Sequence, residues 1–323
     1  MNIVYSSSEY YFKPTLVSVY SLLKNSLHKH TVYLLSSGIS DVSKVAFTEL
    51  VTSMGSIPEI LEIDALLESK AIEFKLPKMR NNYSTYARLF LSEILDVESV
   101  LLIDSDTLVV GEIEDVLDEV TDDGVMFAAR DFVISNKYSR HEDTELSSSN
   151  YFNMGVLYVN LKNWREQSLT WIIKNCYDHT HTLKIADQTI VNKYLSQFIT
   201  EIGLRFNWYT YFRYDFSYDF YRRQNNETAF VSKDKYEYSR ANPVVIHFIG
   251  TWFERPWFKS NICDGGDLYL TYWNELFLES DLFNSPRFSK DTLYGYISVL
   301  FYKLFGIKAY FKFRYIFVQK LKR

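Results

Sequence analysis

Four short strand-like runs, separated by stretches with helical signals, constrain this chain more than any other feature. They are Ile3-Val4-Tyr5, Val32-Tyr33-Leu34-Leu35, Ile60-Leu61-Glu62-Ile63 and Val100-Leu101-Leu102-Ile103. After the first, Pro14 opens a helix through Val17, Val19, Leu22 and Leu23, because proline is accepted in a first turn. Asp41 can cap a second helix through Val45, Phe47 and Leu50, and Tyr86 to Leu95 reads as a third. The run at Val100–Ile103 has no polar interruption. Apolar strands that alternate with helices predict an α/β architecture with a mostly parallel sheet covered on both faces. With 323 residues the chain can bury a full core without a disulfide or metal staple. Apolar residues at 47% and charged residues at 23% exclude a disordered chain. The two cysteines, Cys176 and Cys263, are expected to be free thiols that pack as small hydrophobes, which fits a reducing compartment.

The last of these strands ends on Asp104-Ser105-Asp106. Ligands of open α/β sheets bind at the carboxyl ends of strands. Two carboxylates spaced by one residue at that place suit a hard divalent cation, which in turn suits a diphosphate. A polar strand end without ligand is the plainer alternative. Asp-x-Asp-Thr after an apolar strand also resembles the nucleophile loop of haloacid-dehalogenase phosphatases. That pattern needs a later Gly-Asp-x-x-x-Asp, and Gly266-Asp267-Leu268-Tyr269-Leu270-Thr271 lacks the second acid.

Four more segments join the Asp-Ser-Asp strand in a definite order. Tyr86-Ala87-Arg88-Leu89 precedes it. The run from Tyr151 through Phe152-Asn153-Met154-Gly155-Val156 to Leu161 follows, then Ala186-Asp187-Gln188-Thr189-Ile190-Val191-Asn192. Ile246-His247-Phe248-Ile249-Gly250 comes last, with Arg255-Pro256-Trp257 behind it. Together they resemble glycosyltransferase family 8 over roughly residues 1–260. The resemblance implies a GT-A fold, Rossmann-like, and a retaining, metal-dependent transferase that takes a hexose, glucose or galactose, from a UDP-sugar. The acceptors it implies are surface polysaccharide, lipid-linked or glycoprotein glycans.

The resemblance also implies roles for single residues. Asp104, Asp106 and His247 would hold Mn²⁺, with Mg²⁺ as the other cation considered. Imidazole beside two carboxylates favours the softer of the two. Ser105 would face the ribose and Arg88 the donor, Gly155 belongs to the Phe-Asn-x-Gly-Val motif on the donor side, and Gly250 would let the backbone approach the diphosphate closely. Arg255 stands where relatives carry Lys before Pro-Trp, and either cation can bind phosphate. Asp131 and Asn153 would hold sugar hydroxyls. Asp187 and Gln188 would lie beneath the anomeric carbon. An amide is a poor nucleophile and no base, so front-face substitution is favoured over a covalent intermediate. The opening strand departs from the family's acidic stretch: Ser6, Ser8 and Glu9 stand there, with Tyr11 left to stack on the base. A chain that kept this site but turned nothing over would instead be a nucleotide-sugar-binding partner of another transferase.

The expected domains are a catalytic unit at 1–265, with a donor half to about 130 and an acceptor half beyond it, and a helical segment at 266–323. After Asp291 the chain has no acid, seven bases and ten aromatics. The whole chain carries −5 and this tail +7, so the body carries −12, which excludes a nucleic-acid partner. No run reaches the roughly 20 apolar residues of a membrane span. A basic, aromatic tail fits the interface of an anionic membrane, which implies peripheral attachment at the cytoplasmic face. The Tyr- and Arg-rich stretch at 209–223 is either an acceptor platform or a cover over the sheet. His28, His30, His179 and His181 read as solvated loop residues.

Overall fold

In the computed structural model the described residues are 1–79, 82–131, 151–177, 186–209, 217–224, 231–249, 255–258, 265–278, 300 and 304–305. The strands are β1 (Asn2–Ser8), β2 (Thr31–Ser37), β3 (Ile57–Glu62), β4 (Ser99–Ile103), β5 (Thr107–Val109), β6 (Met126–Arg130), β7 (Phe152–Asn160), β8 (Ile199–Glu201), β9 (Trp208–Tyr209) and β10 (Val245–His247). The helices are α1 (Phe12–Asn25), α2 (Asp41–Ser53), α3 (Asp64–Phe74), α4 (Leu91–Ile94), α5 (Leu161–Glu166), α6 (Leu169–Cys176), α7 (Ala186–Tyr194), α8 (Tyr218–Gln224), α9 (Lys233–Ala241) and α10 (Gly266–Leu278).

The main sheet runs β3-β2-β1-β4-β7-β6-β8. Its first four strands are parallel, as is β6 with β8, while β7 runs antiparallel to both neighbours. The expected mostly parallel sheet is therefore present, with one reversed strand inside it. Chain order reverses at β1, which pairs β2 on one side and β4 on the other. Such a switch opens a crevice at the carboxyl ends of its strands, and β4 ends there on Asp104. A second sheet, β5-β10-β9, sets His247 opposite Thr107.

Local differences from the expected elements have physical causes. Tyr86 to Leu95 is not one α-helix but a 3₁₀ turn, Ser84–Phe90, leading into α4. Tyr86, Ala87, Leu89 and Phe90 are all buried, a repeat of three that suits the tighter helix. Helix α2 is capped by the Ser40 hydroxyl rather than by Asp41, which is its first residue. Helix α3, unread in the sequence, buries only the stripe Leu67, Ala71 and Phe74 among charged neighbours. Two expectations of exposure reverse. Cys176 is exposed. His30 is 2% exposed, with Nε2 2.8 Å from Ser26 Oγ and 3.1 Å from Glu114 Oε1, and burial lowers its pKa. His179, His181, Cys263 and the tail beyond 305 lie outside the described residues.

The chain divides into two compact units: Met1–Trp208 with Ser217–His247, and Tyr209–Phe216 with Phe248–Arg323. The expected division at 265 compares with one at His247, where β10 leaves the ladder with β5. The second unit gathers Phe248, Trp257, Trp273 and Phe277 around or near Tyr269 of α10, with Tyr269 5.2 Å from Phe248 and 5.7 Å from Trp257. In the first unit, Tyr218, Tyr221, Tyr236 and Trp208 pack ring against ring at 4.8–5.8 Å. Tyr221 and Tyr236 are buried, so this part of the aromatic stretch is core cover rather than an open platform. No helix among the described residues is long and apolar enough to cross a membrane.

Candidate active site

All of the site described here lies within the first unit. β4 delivers Asp104 at its end, the turn into β5 carries Asp106, and β10 brings His247 alongside β5. One ligand atom from each of these three residues lies within 4.8 Å of the others, the one such group among the described residues. His247 Nε2 is 3.1 Å from Asp106 Oδ1, and Nδ1 is 2.8 Å from Asn207 Oδ1. Two carboxylates and an imidazole with one nitrogen held by an outer partner make a donor set that fits a divalent cation such as Mn²⁺.

Arg88 binds this group to the next one. Its Nη2 donates to Asp104 Oδ1 at 2.8 Å, its Nε lies 2.6 Å from Asp187 Oδ2, and Nη1 donates to the Met154 carbonyl. The tight 3₁₀ turn aims this guanidinium back at β4. Burial alone would lower the Arg88 pKa; Asp187 and Asp104 outweigh it and hold the group protonated. Burial raises the Asp104 carboxyl, against the pull of Arg88. A cation at the site would favour the ionised form.

Beyond Arg88 lies a buried polar cluster. Asp187 and Gln188 sit in the first turn of α7, where a carboxylate is favoured. Thr85 donates to Asp187 at 2.6 Å. Gln188 donates to Asp131 Oδ2 at 2.9 Å and accepts from both the Met154 N–H and the Asn153 amide at 3.2 Å. Asn153 also donates to Asp131 at 3.1 Å. Asn192, one turn after Gln188, clamps α7 to β7 through the Phe152 N–H at 2.6 Å and its carbonyl at 2.8 Å. Asp131, Asn153 and Gln188, predicted from separate motifs, are thus one hydrogen-bonded unit, while Asp187, next to Gln188 in the chain, is held by Thr85 and Arg88.

Other expected residues take different places. The Ser105 hydroxyl turns inward, accepting from Thr15 at 2.8 Å and donating to the Ser6 carbonyl at 3.4 Å. Ser6 Oγ donates to the Ser84 carbonyl at 3.2 Å. Glu9 serves the start of α2, where its carboxylate accepts from the Ser40 N–H at 2.8 Å and the Ser43 hydroxyl at 2.9 Å. Ser8 and Tyr11 are half-buried where β1 gives way to α1. Arg255, in the second unit, lies over the Trp257 ring at 5.4 Å. Gly250 lies outside the described residues. Thr15, Thr85, Asn192 and Asn207 join the site through hydrogen bonds that no residue role read from the sequence includes. Asn192 belongs to the recognised Asp-Gln segment, whereas no pattern marks Asn207.

Gly155 makes room for the imidazole. A Cβ there would lie 2.3 Å from His247 Cε1 and 2.8 Å from its Nδ1. Gly155→Ala is therefore expected to displace His247, to disturb any divalent-cation binding at the Asp104–Asp106–His247 group and to cost about 1–3 kcal/mol of stability by overpacking. Mn²⁺ titration and urea unfolding measure both, and wild-type values in each would show that the ring has room to spare.

The model of glycosyl transferase family 8 matches residues 2–261. This chain belongs to glycosyltransferase family 8. A Haemophilus influenzae protein described as a glycosyltransferase is 29% identical over 214 residues, 64% of this chain and 63% of that one. General stress protein A of Bacillus subtilis is 24% identical over 290 residues, covering 85% of this chain and 96% of that protein. Among solved structures, the bifunctional glycosyltransferase WbbM aligns with a TM-score of 0.69 at 19% identity, over 84% of this chain and 49% of that one. The galactosyltransferase LgtC with donor and acceptor sugar analogues aligns with a TM-score of 0.66 at 21% identity, over 85% and 96%. These likenesses establish the GT-A fold for this family 8 chain.

Proposed function

We propose that this family 8 protein transfers a hexose from a UDP-sugar to a glycan acceptor with retention of configuration, using Mn²⁺ held by Asp104, Asp106 and His247. One observation carries the reading: Arg88 joins Asp104 of the Asp104–Asp106–His247 group to Asp187 and to the Met154 carbonyl, and the Met154 N–H donates to Gln188 of the Asp131–Asn153–Gln188 cluster. A donor diphosphate at the first group would present its sugar to the second. When bound, the cation supplies charge neutralisation to the departing diphosphate. Asp131 and Asn153 orient the sugar hydroxyls. Gln188 Oε1 already accepts two N–H groups, which makes it a still poorer nucleophile and supports front-face attack, with Asp187 and Gln188 stabilising positive charge at the anomeric carbon.

The test is UDP release from a panel of UDP-hexoses with Mn²⁺, with and without excess EDTA. Release from none of them, beside measurable UDP binding, would favour the non-catalytic binding partner. Gln188→Ala is expected to lower kcat more than it raises the donor KM, because the side chain acts mainly on the transition state. NMR of the first-formed product from an α-linked donor is expected to show an α linkage; a β product would overturn retention.

The acceptor side of the proposal includes the tail. Residues after Asp291 would hold the enzyme at the cytoplasmic membrane face, near a lipid-linked acceptor. Leu300, Leu304 and Phe305 are exposed, in keeping with that role. Each base near an anionic surface contributes about 1 kcal/mol, and the rings add apolar anchoring that salt does not screen. Full-length protein is expected to float with anionic liposomes, and a chain truncated after Lys290 to stay at the bottom. If both stay at the bottom, the membrane proposal fails.

A further inference from the structure

We propose that Asn207 is a positioning residue that holds His247 in the tautomer presenting Nε2 to the cation, and so sets the strength of metal binding; this rests on the metal reading of the Asp104–Asp106–His247 group. Asn207 closes the 3₁₀ turn Leu204–Asn207 and is 1% exposed. The hydrogen-bond directions follow from one backbone group. The Gly155 N–H can only donate, so the Asn153 side-chain atom 2.8 Å away is its oxygen. Asn153 then turns its NH₂ to Asp131 Oδ2 and Gln188 Oε1, which both accept.

The Asn207 atom 2.8 Å from the Asn153 oxygen must in turn be its own NH₂. That leaves the Asn207 oxygen 2.8 Å from His247 Nδ1. An amide oxygen only accepts, so Nδ1 carries a hydrogen. Nε2, on the Asp106 side, is the nitrogen left for a cation. One chain of four groups, from the Gly155 amide to the His247 ring, therefore couples the sugar-side cluster to the orientation of the metal ligand. An aliphatic residue at 207 would leave the Nδ1 hydrogen and the Asn153 oxygen each short of a buried partner, and the ring free to turn.

Mn²⁺ binding to the full-length protein without donor, followed by electron paramagnetic resonance, tests this. Asn207→Leu is expected to raise the Mn²⁺ Kd about 10–100-fold, the usual cost of losing an outer partner of a ligating histidine. Thermal melting of the same metal-free variant checks its folding. A second measurement needs no variant at 207. With Zn²⁺ as a diamagnetic stand-in, long-range ¹H–¹⁵N spectra of the wild type are expected to show His247 with a protonated Nδ1 and a metal-bound Nε2. His247→Gln assigns the signals. Unchanged Mn²⁺ affinity in a folded Asn207→Leu, or metal bound through Nδ1, would overturn the role of Asn207 and leave the metal reading standing. Wild-type protein that binds no Mn²⁺ would overturn both.

Discussion

Asp106→Ala is expected to lower turnover by several orders of magnitude while the protein stays folded. Asp106 lies in a short turn between β4 and β5, outside either strand, and truncation to Ala removes only a carboxylate, so the main chain of the sheet keeps its ladder. What is lost is one of the three candidate metal-binding side chains, the carboxylate beside His247 Nε2 at 3.1 Å. On the proposed function, a more weakly held cation would leave a departing diphosphate without its counter-charge. Excess Mn²⁺ is expected to restore part of the activity if binding is the main defect. Circular dichroism checks the fold and UDP release measures the turnover. Full activity of the variant, or of the wild type in excess EDTA, would end the metal reading.

Arg88→Leu is expected to cost stability as well as activity. Arg88 is 11% exposed and bridges two carboxylates, of which Asp187 is 6% exposed and Asp104 32%. Removing one partner of a buried pair leaves an uncompensated charge, at about 3–5 kcal/mol. Water partly screens Asp104, so the lower end, about 3 kcal/mol, is expected. Arg88→Lys cannot reproduce the fork toward Asp104, Asp187 and the Met154 carbonyl, and is expected to recover only part of the loss. Urea midpoints compare the three proteins. A stability of Arg88→Leu within about 0.5 kcal/mol of wild type would show that this ion-pair network holds nothing together.

How much of this was legible depends on how local each signal is. The alternation of strands and helices, the uninterrupted run Val100–Ile103 and the two carboxylates at its end are properties of neighbouring residues, and each is in place. The segments that carry Arg88, Asn153, Asp187, Gln188 and His247 stand in an order that marks the family, which the family match bears out. The helix expected from Tyr86 differs for another reason: the buried pairs Tyr86/Leu89 and Ala87/Phe90 fit a period of three as well as 3.6 over so short a run.

The sequence by itself determined the α/β sheet, the position of the carboxylates and the family, because burial pattern and motif order are written along the chain. Only the tertiary structure decided which side chains meet. His247 finds Asp106 across 141 positions, Asn207 finds Asn153 across 54, and Glu9 reaches Ser43 across 34. Hydrogen-bond partners are chosen by what the sheet brings within about 3 Å, and no local pattern carries that distance. Hence Glu9 braces the Ser40 cap of α2 and Ser105 turns its hydroxyl inward, while Asn207, unmarked in the sequence, stands behind His247.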